Sequence, residues 1–232
     1  MTLGERIVFV LRHPRRAVYQ WWRGRPLTAR FVYVPENVAP QGPLGGVIAY
    51  HDQRVIRECL TEITRETTIR RALEVGCGYG RLTMVLGEFA DEVIGVEREP
   101  HLAEIARSLL DGIEIRQQDS ILTLPTLADG GVDLAMTFTV FQHMVDEDVR
   151  AVLAELRRVV GPRGFVLLVE KVEPGNETRR TDDRTLFLSK HRPVAVYQEW
   201  MAPFTLVSTR PRPAPAAWGR NSGAAMLFRG KA

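Results

Sequence analysis

Three glycines at alternate positions, Gly76, Gly78 and Gly80, directly follow the mostly apolar segment Leu73–Val75. Because glycine has no Cβ, this spacing lets the backbone turn tightly and lets a ligand approach the main chain closely. A dinucleotide-binding fingerprint would need its third glycine at the position that Arg81 occupies here. The run therefore predicts a β-strand that ends in a cofactor-binding turn, with a spacing that differs from the dinucleotide motif.

Acidic residues follow two further predicted strands. The apolar segment Val93–Val96 indicates a buried second strand, and Glu97 ends it. A carboxylate placed about 20 residues after the first glycine can accept both hydroxyls of a ribose. The alternation of residues 113–116 indicates a third strand, which leads to Asp119.

The G-x-G-x-G spacing with Glu74 before it resembles motif I of class I S-adenosylmethionine (SAM) methyltransferases. The resemblance implies that SAM is the cofactor, that Glu97 holds its ribose and that Asp119 lies against the adenine amino group. Structural alternatives remain for each, since glycines also serve tight turns, Glu97 could be a surface acid and Asp119 a cap. The residues expected to form the cofactor site are Glu74, Gly76, Cys77, Gly78, Gly80, Glu97, Arg98, Asp119, Ser120, Thr137 and Phe138.

A fourth predicted strand, residues 132–136, runs into Thr137–Met144, which resembles the motif IV loop beside the methyl donor. An acceptor hydroxyl needs a base with a pKa near neutrality, and histidine is the usual one. His143 is therefore the candidate general base, and Glu170, at the end of the fifth predicted strand, is expected to orient its imidazole. The alternative is that His143 only shapes the pocket or caps the following helix.

The same region contains side chains that could bind a metal ion. Asp146 and Asp148, with His143 and Glu170, offer hard ligands for a divalent ion. Acids at the start of a helix are expected anyway, because they cap it and complement its dipole. No metal site is predicted.

The elements that position these residues alternate between strand and helix from residue 73 to residue 169, which predicts an α/β fold with a parallel sheet. The resemblance implies a Rossmann-like, doubly wound sheet of order 3-2-1-4-5-7-6. Its last two strands, Phe204–Thr209 and Ala225–Phe228, are expected to form an antiparallel hairpin. Helices are expected around residues 55–63 and 149–160, the second ending at Gly161.

Length and composition indicate one core. A chain of 232 residues with 45% hydrophobic side chains can bury one sizeable domain with an appendage. Residues 51–232 are assigned to the SAM-binding domain, and residues 1–50 to a basic appendage that covers the acceptor. The polar, Pro- and Gly-containing stretch begins a predicted lid insertion, residues 173–203.

The first 30 residues are strongly basic. They hold seven arginines against one acid, 7 − 1 = +6, whereas the whole chain carries +3. Such a segment can be a solvated helix face packed on the body or on a second subunit of a homodimer. It can also bind an anionic membrane or a lipid-linked acceptor, and nucleic acid is a less favoured partner.

No apolar run reaches the roughly 18 to 20 residues of a membrane span, so a cytoplasmic or membrane-peripheral protein is expected. The leading functional prediction is O-methylation of a hydroxyl on a small molecule or a glycan. C- or N-methylation of a small molecule, methylation of a nucleic acid or protein docked on the basic N-terminus, and a non-catalytic scaffold remain alternatives.

Overall fold

The computed structural model describes residues 45–172, 179–180, 190–212 and 223–231. Residues 1–44 of the predicted basic appendage lie outside these ranges, and so do residues 173–178 and 181–189 of the predicted lid.

A seven-stranded sheet of order β3-β2-β1-β4-β5-β9-β8 forms the centre of the molecule. The first five strands pair in parallel, and β9 is antiparallel to both β5 and β8. The predicted strand order and the final hairpin are thereby confirmed. Strands 6 and 7 of the predicted order correspond to β8 and β9. Their bounds are β1 Ile69–Val75, β2 Ala90–Glu97, β3 Glu114–Gln117, β4 Leu134–Phe138, β5 Phe165–Lys171, β8 Thr205–Arg212 and β9 Gly223–Arg229; the short strands β6 Arg179–Arg180 and β7 Lys190–His191 pair separately.

Helices connect the strands of this sheet, as expected for parallel neighbours. They are α1 Gly45–Thr64, α2 Thr83–Leu86, α3 Pro100–Leu109, α4 Ser120–Thr123, α5 Asp146–Val160 and α6 Val194–Trp200, with 3₁₀ turns at Leu124–Thr126 and Phe141–His143. Within the described ranges, no helix combines the length and the apolar character needed to cross a membrane.

The core lies on both faces of the sheet. Alternate residues of β5 point to opposite faces, so Val166 and Leu168 join one apolar cluster and Leu167 and Val169 join the other. The apolar stripe of α5 packs in the first cluster and that of α1 in the second. Both stripes follow the helical spacing read from the sequence, and all six α5 positions are buried.

The parallel strands β1, β2, β4 and β5 end at one edge of the sheet, called here the carboxyl edge. The antiparallel hairpin returns to the same edge, because Lys171 of β5 pairs with Gly223 of β9 and Gly223 pairs with Arg212 of β8. Ligands of open α/β sheets bind outside the carboxyl ends of the strands, where the strand order reverses. Residues from β1, β2, β4, β5 and β8 are therefore brought together at this edge.

Candidate active site

The glycine loop after β1 has the conformation that its sequence predicts. Gly76, Gly78 and Gly80 have φ angles of +73°, +58° and +87°, a region in which residues with a Cβ are strained. The N–H groups of Gly76 and Cys77 both donate to the carbonyl of Val96, at 2.8 and 3.1 Å. The loop is thus fixed against the end of β2.

The three glycines have different neighbours. A Cβ on Gly76 would lie 2.5 Å from a methyl carbon of Val140, and one on Gly80 would lie 2.3 Å from a methyl carbon of Leu110. A Cβ on Gly78 would meet no atom of the described residues within 4 Å. Gly76 and Gly80 are therefore needed for packing, whereas Gly78 leaves backbone open to a ligand.

Glu97 lies beside this open position. One carboxylate oxygen accepts the backbone N–H of Gly78 at 2.8 Å, and the other accepts that of Glu99, also at 2.8 Å. Each carboxylate oxygen has two acceptor positions, so one remains on each oxygen for a further donor. The arrangement suits the two hydroxyls of a ribose, as the position of Glu97 in the sequence predicts.

Glu74 and Cys77 lie beneath the loop. The Glu74 carboxyl accepts the hydroxyl of Thr83 at 2.6 Å. Burial raises the pKa of Glu74 to about 8, although the Thr83 hydrogen bond and the charge of Arg81 act to lower it. The Cys77 side chain is buried as well, and burial raises the pKa of its thiol. Both side chains support the loop from the protein interior.

Asp119 is the N-cap of α4. A capping role is the alternative to the adenine contact that the sequence left open for this residue. One of its carboxylate oxygens accepts the N–H of Ile121 at 3.1 Å, and the other lies 3.8 Å from a guanidinium nitrogen of Arg98. Ser120 is the first residue of α4. The Asp119 side chain is 36% exposed, so its second oxygen can still reach a ligand. The adenine contact stays a prediction.

Glu170 is completely buried at the end of β5, next to β4. Its carboxylate accepts hydrogen bonds from the hydroxyl of Thr137 at 3.0 Å and from the backbone N–H groups of Val140 and Phe141 at 3.1 and 3.2 Å. Burial raises the pKa of Glu170 to about 7, against the lowering effect of these bonds. Thr139 lies between Thr137 and Val140 and has a φ of +54°. Glu170 therefore fixes a turn whose backbone conformation is unfavourable for a residue with a Cβ.

These contacts differ from the role expected for Glu170. The carboxylate was predicted to orient the imidazole of His143, but the hydrogen bonds assigned to it hold the preceding turn instead. His143 is exposed in the 3₁₀ turn after β4, and its Nε2 lies 2.8 Å from the side-chain amide of Gln142. The Gln142 amide is thus placed to orient the imidazole, and an orienting role for Glu170 stays a prediction.

Arg192 is a loop-fixing residue that the sequence did not reveal. Its side chain is 1% exposed and donates to the carbonyls of Phe141 and Met144 at 2.6 and 2.7 Å. It also donates to Asp146 at 2.9 Å, and Lys190 pairs with the same carboxylate. Asp146 is therefore part of an ion-pair network, and no group of three metal-ligating side chains occurs among the residues that the structure describes.

Comparison with known proteins finds similarity to methyltransferases. Residues 73–168 match a family model described as a methyltransferase domain. The match includes the glycine loop, Glu97, Asp119 and the turn that Glu170 holds. Over these residues the chain is similar to SAM-dependent methyltransferases. An uncharacterized methyltransferase of Oceanobacillus iheyensis is 30% identical over 134 residues, which make up 58% of this chain and 59% of that protein.

Solved structures of methyltransferases share the fold of this chain. A SAM-dependent methyltransferase of Leishmania major has a TM-score of 0.68 at 19% identity, covering 84% of this chain and 78% of that one. The 1,6-didemethyltoxoflavin-N1-methyltransferase of Burkholderia thailandensis, solved with S-adenosylhomocysteine, has a TM-score of 0.61 at 19% identity, covering 90% and 95%. At these identities, the likeness establishes the fold alone.

The similarity to methyltransferases supports SAM as the cofactor. The residues at the carboxyl edge fit it, because Gly78 leaves open space beside the loop backbone and Glu97 keeps acceptor positions there. Val140, two residues after the end of β4 at Phe138, contacts the same loop at Gly76. The donor loop and the loop that carries His143 are thus direct neighbours.

Proposed function

We propose that this protein transfers the methyl group of SAM to a hydroxyl of a small molecule or glycan, with His143 as the general base. The observation that carries the proposal is the contact of Gly76 with Val140, because it joins the glycine loop to the turn that leads to His143. When bound, SAM supplies a methyl group on a positively charged sulfur. Few catalytic side chains are then needed beyond those that position the acceptor.

The side chains of the loop after β4 support this assignment. Glu170 and Arg192 fix the main chain on either side of Phe141, so the position of His143 does not depend on solvent-exposed contacts. Gln142 lies within hydrogen-bond distance of the imidazole Nε2. With its amide oxygen towards the ring, Gln142 accepts Nε2–H and leaves Nδ1 as the basic nitrogen of the neutral imidazole. As the bond from oxygen to methyl forms and the bond from sulfur to methyl breaks, the acceptor proton passes to His143.

The first experiment is calorimetric titration of the full chain with S-adenosylhomocysteine. A saturable heat at 1:1 stoichiometry is expected, and Glu97→Ala should weaken it. The absence of binding would contradict the proposal and favour a non-catalytic scaffold.

The second experiment is a screen for transfer of a radiolabelled methyl group. Small hydroxylated compounds and glycans are compared with nucleic acids, proteins and amine acceptors. Transfer to a hydroxyl that depends on His143 supports the proposal. Transfer only to RNA, protein or a nitrogen or carbon atom would replace it.

A further inference from the structure

A buried ion cluster lies at the carboxyl edge, beside the end of β4. Asp52 of α1 accepts from Arg212 at 2.9 and 3.2 Å and from Arg81 at 3.0 Å. The Asp52 side chain is 1% exposed, and those of Arg81 and Arg212 are 14% and 12% exposed. Residues 160 positions apart in the chain thus form one shielded cluster.

Arg212 reaches this cluster because Gly223 has no side chain. The two residues are paired neighbours on β8 and β9, and a Cβ on Gly223 would lie 3.0 Å from both Cβ and Cδ of Arg212. Lys171 is the neighbour of Gly223 on β5. Burial and the charge of Arg212 lower the pKa of Lys171, which places this ammonium group in the same electrostatic environment.

Both arginines also contact Phe138. The guanidinium carbon of Arg212 lies 4.6 Å from the centre of the Phe138 ring, and that of Arg81 lies 5.3 Å from it. Such cation–π contacts fix the direction of a guanidinium group. Phe138 ends β4, so the positive charges lie beside the turn that leads to His143.

The positive charges of the cluster exceed its negative charges. Among the described residues, Arg81 and Arg212 pair with one carboxylate, Asp52, and Lys171 adds a third cation near Arg212, which leaves 3 − 1 = +2. Glu74 is the next acid towards Arg81, but its pKa of about 8 keeps it mostly protonated at neutral pH. Within the described part of the chain, the Nη1 atom of Arg81 is buried and has no hydrogen-bond partner. Shielded cations in excess are unfavourable unless an anion joins them.

We propose that Arg81, Lys171 and Arg212 bind a carboxylate or phosphate group of the methyl acceptor. This inference rests on the proposed methyl transfer and names the class of its acceptor as anionic. Guanidinium groups suit both anions, because their parallel N–H donors match two oxygens. The donor is a poorer counter-ion, since its amino-acid part carries an ammonium group beside its carboxylate and its sulfur is positively charged.

The test measures anion binding separately from donor binding. The full chain is titrated with inorganic phosphate, once saturated with S-adenosylhomocysteine and once with 5′-methylthioadenosine, which has no amino-acid part. Phosphate is expected to bind in both cases. Binding only beside 5′-methylthioadenosine would assign the cluster to the donor carboxylate and overturn the proposal, and so would the absence of phosphate binding in both.

Variants identify the binding residues. Arg212→Gln should weaken phosphate binding by about tenfold or more, because a charge-assisted hydrogen-bonded pair is lost. The affinity for S-adenosylhomocysteine should change less than about threefold. Lys171→Gln provides a second variant that leaves the ion pairs of Asp52 in place. Arg210→Gln is the matched control, because Arg210 lies on the same strand but pairs with Glu62. Equal phosphate binding by the wild type and both test variants would overturn the proposal, whereas failure to bind S-adenosylhomocysteine would instead contradict the proposed function.

Discussion

The carboxylate of Glu97 accepts the backbone N–H of Gly78 at 2.8 Å. The acid that ends β2 and the central glycine of the loop after β1 are therefore one hydrogen-bonded unit. Because Gly78 is also the glycine with open space at its Cβ position, this unit forms the side of the site against which a nucleoside would bind.

Replacing Glu97 by Gln should weaken binding of S-adenosylhomocysteine by about 10- to 100-fold, because a buried acceptor for the ribose hydroxyls and for Gly78 is lost. Calorimetry measures the affinity, and circular dichroism checks the fold. Asp91→Asn, at an exposed position of the same strand, should bind like the wild type. Unchanged affinity of the Glu97 variant would show that the ribose lies elsewhere.

Gly78→Ala tests the space that the glycine leaves. The substitution forces a residue with a Cβ to a φ of +58°, which costs about 1 to 2 kcal/mol of stability. Gly112→Ala is the control variant for this strain. Gly112 has a φ of +75° and no atom of the described residues within 4 Å of its Cβ position, but it lies away from the site, on the loop before β3. Both variants should lose similar stability in denaturant unfolding. Only Gly78→Ala should lose S-adenosylhomocysteine affinity; equal affinities would place the ligand away from this glycine.

Glu74 should make the stability of the protein depend on pH. Its pKa is about 8 in the folded state and near the ordinary 4.5 in the unfolded chain, so the folded protein holds a proton that the unfolded chain releases. The resulting stabilisation is complete below pH 4.5 and is lost as the pH rises through about 8. Over this window the free energy of unfolding should fall by up to about 1.4 kcal/mol per pH unit.

Urea unfolding of the wild type and of Glu74→Gln at pH 5.5 and 7.5 measures this effect. The wild type should lose about 2 kcal/mol more than the variant between these two values. Glu170 titrates in both proteins and cancels in the comparison. Glu104→Gln, an exposed position on α3, should keep the wild-type dependence. Parallel curves for the wild type and Glu74→Gln would contradict the prediction.

His143→Ala should lower turnover by about 100-fold or more while S-adenosylhomocysteine still binds, if this residue removes the acceptor proton. The acidic limb of the pH–rate profile should disappear with it. His101→Ala, an exposed histidine on α3, is the control and should remain active. A nearly normal rate for His143→Ala would leave His143 with a role in shaping the pocket.

The sequence predicted those parts of the fold that depend on neighbouring residues. The alternation of strand and helix, the apolar stripe of α5 and its end at Gly161 follow from local patterns. The positive φ angles of Gly76, Gly78 and Gly80 and the place of Glu97 beside them likewise follow from spacing along the chain. Local patterns suffice here because the loop and β2 are adjacent in sequence and in the sheet.

The contacts that the sequence could not predict join distant segments. Nothing in the sequence near Arg192 indicates that it donates to the carbonyl of Phe141, 51 positions earlier. Likewise, nothing near Arg212 indicates that its side chain crosses Gly223 to reach Asp52. The partners of Glu170 were missed for a related reason. Its position at the end of β5 was correct, but the direction of its side chain is decided by the N–H groups of the Val140 turn, which burial leaves without water.

The strand β9 lies between β5 and β8, although it follows β8 in the chain. β8 therefore joins this sheet only through β9. The ion pair of Arg212 with Asp52 depends on the correct insertion of β9, whereas the contact of Glu97 with the glycine loop joins two strands that pair directly. A change that weakens the insertion of β9 should therefore disturb the cationic cluster before it disturbs the nucleoside-binding side.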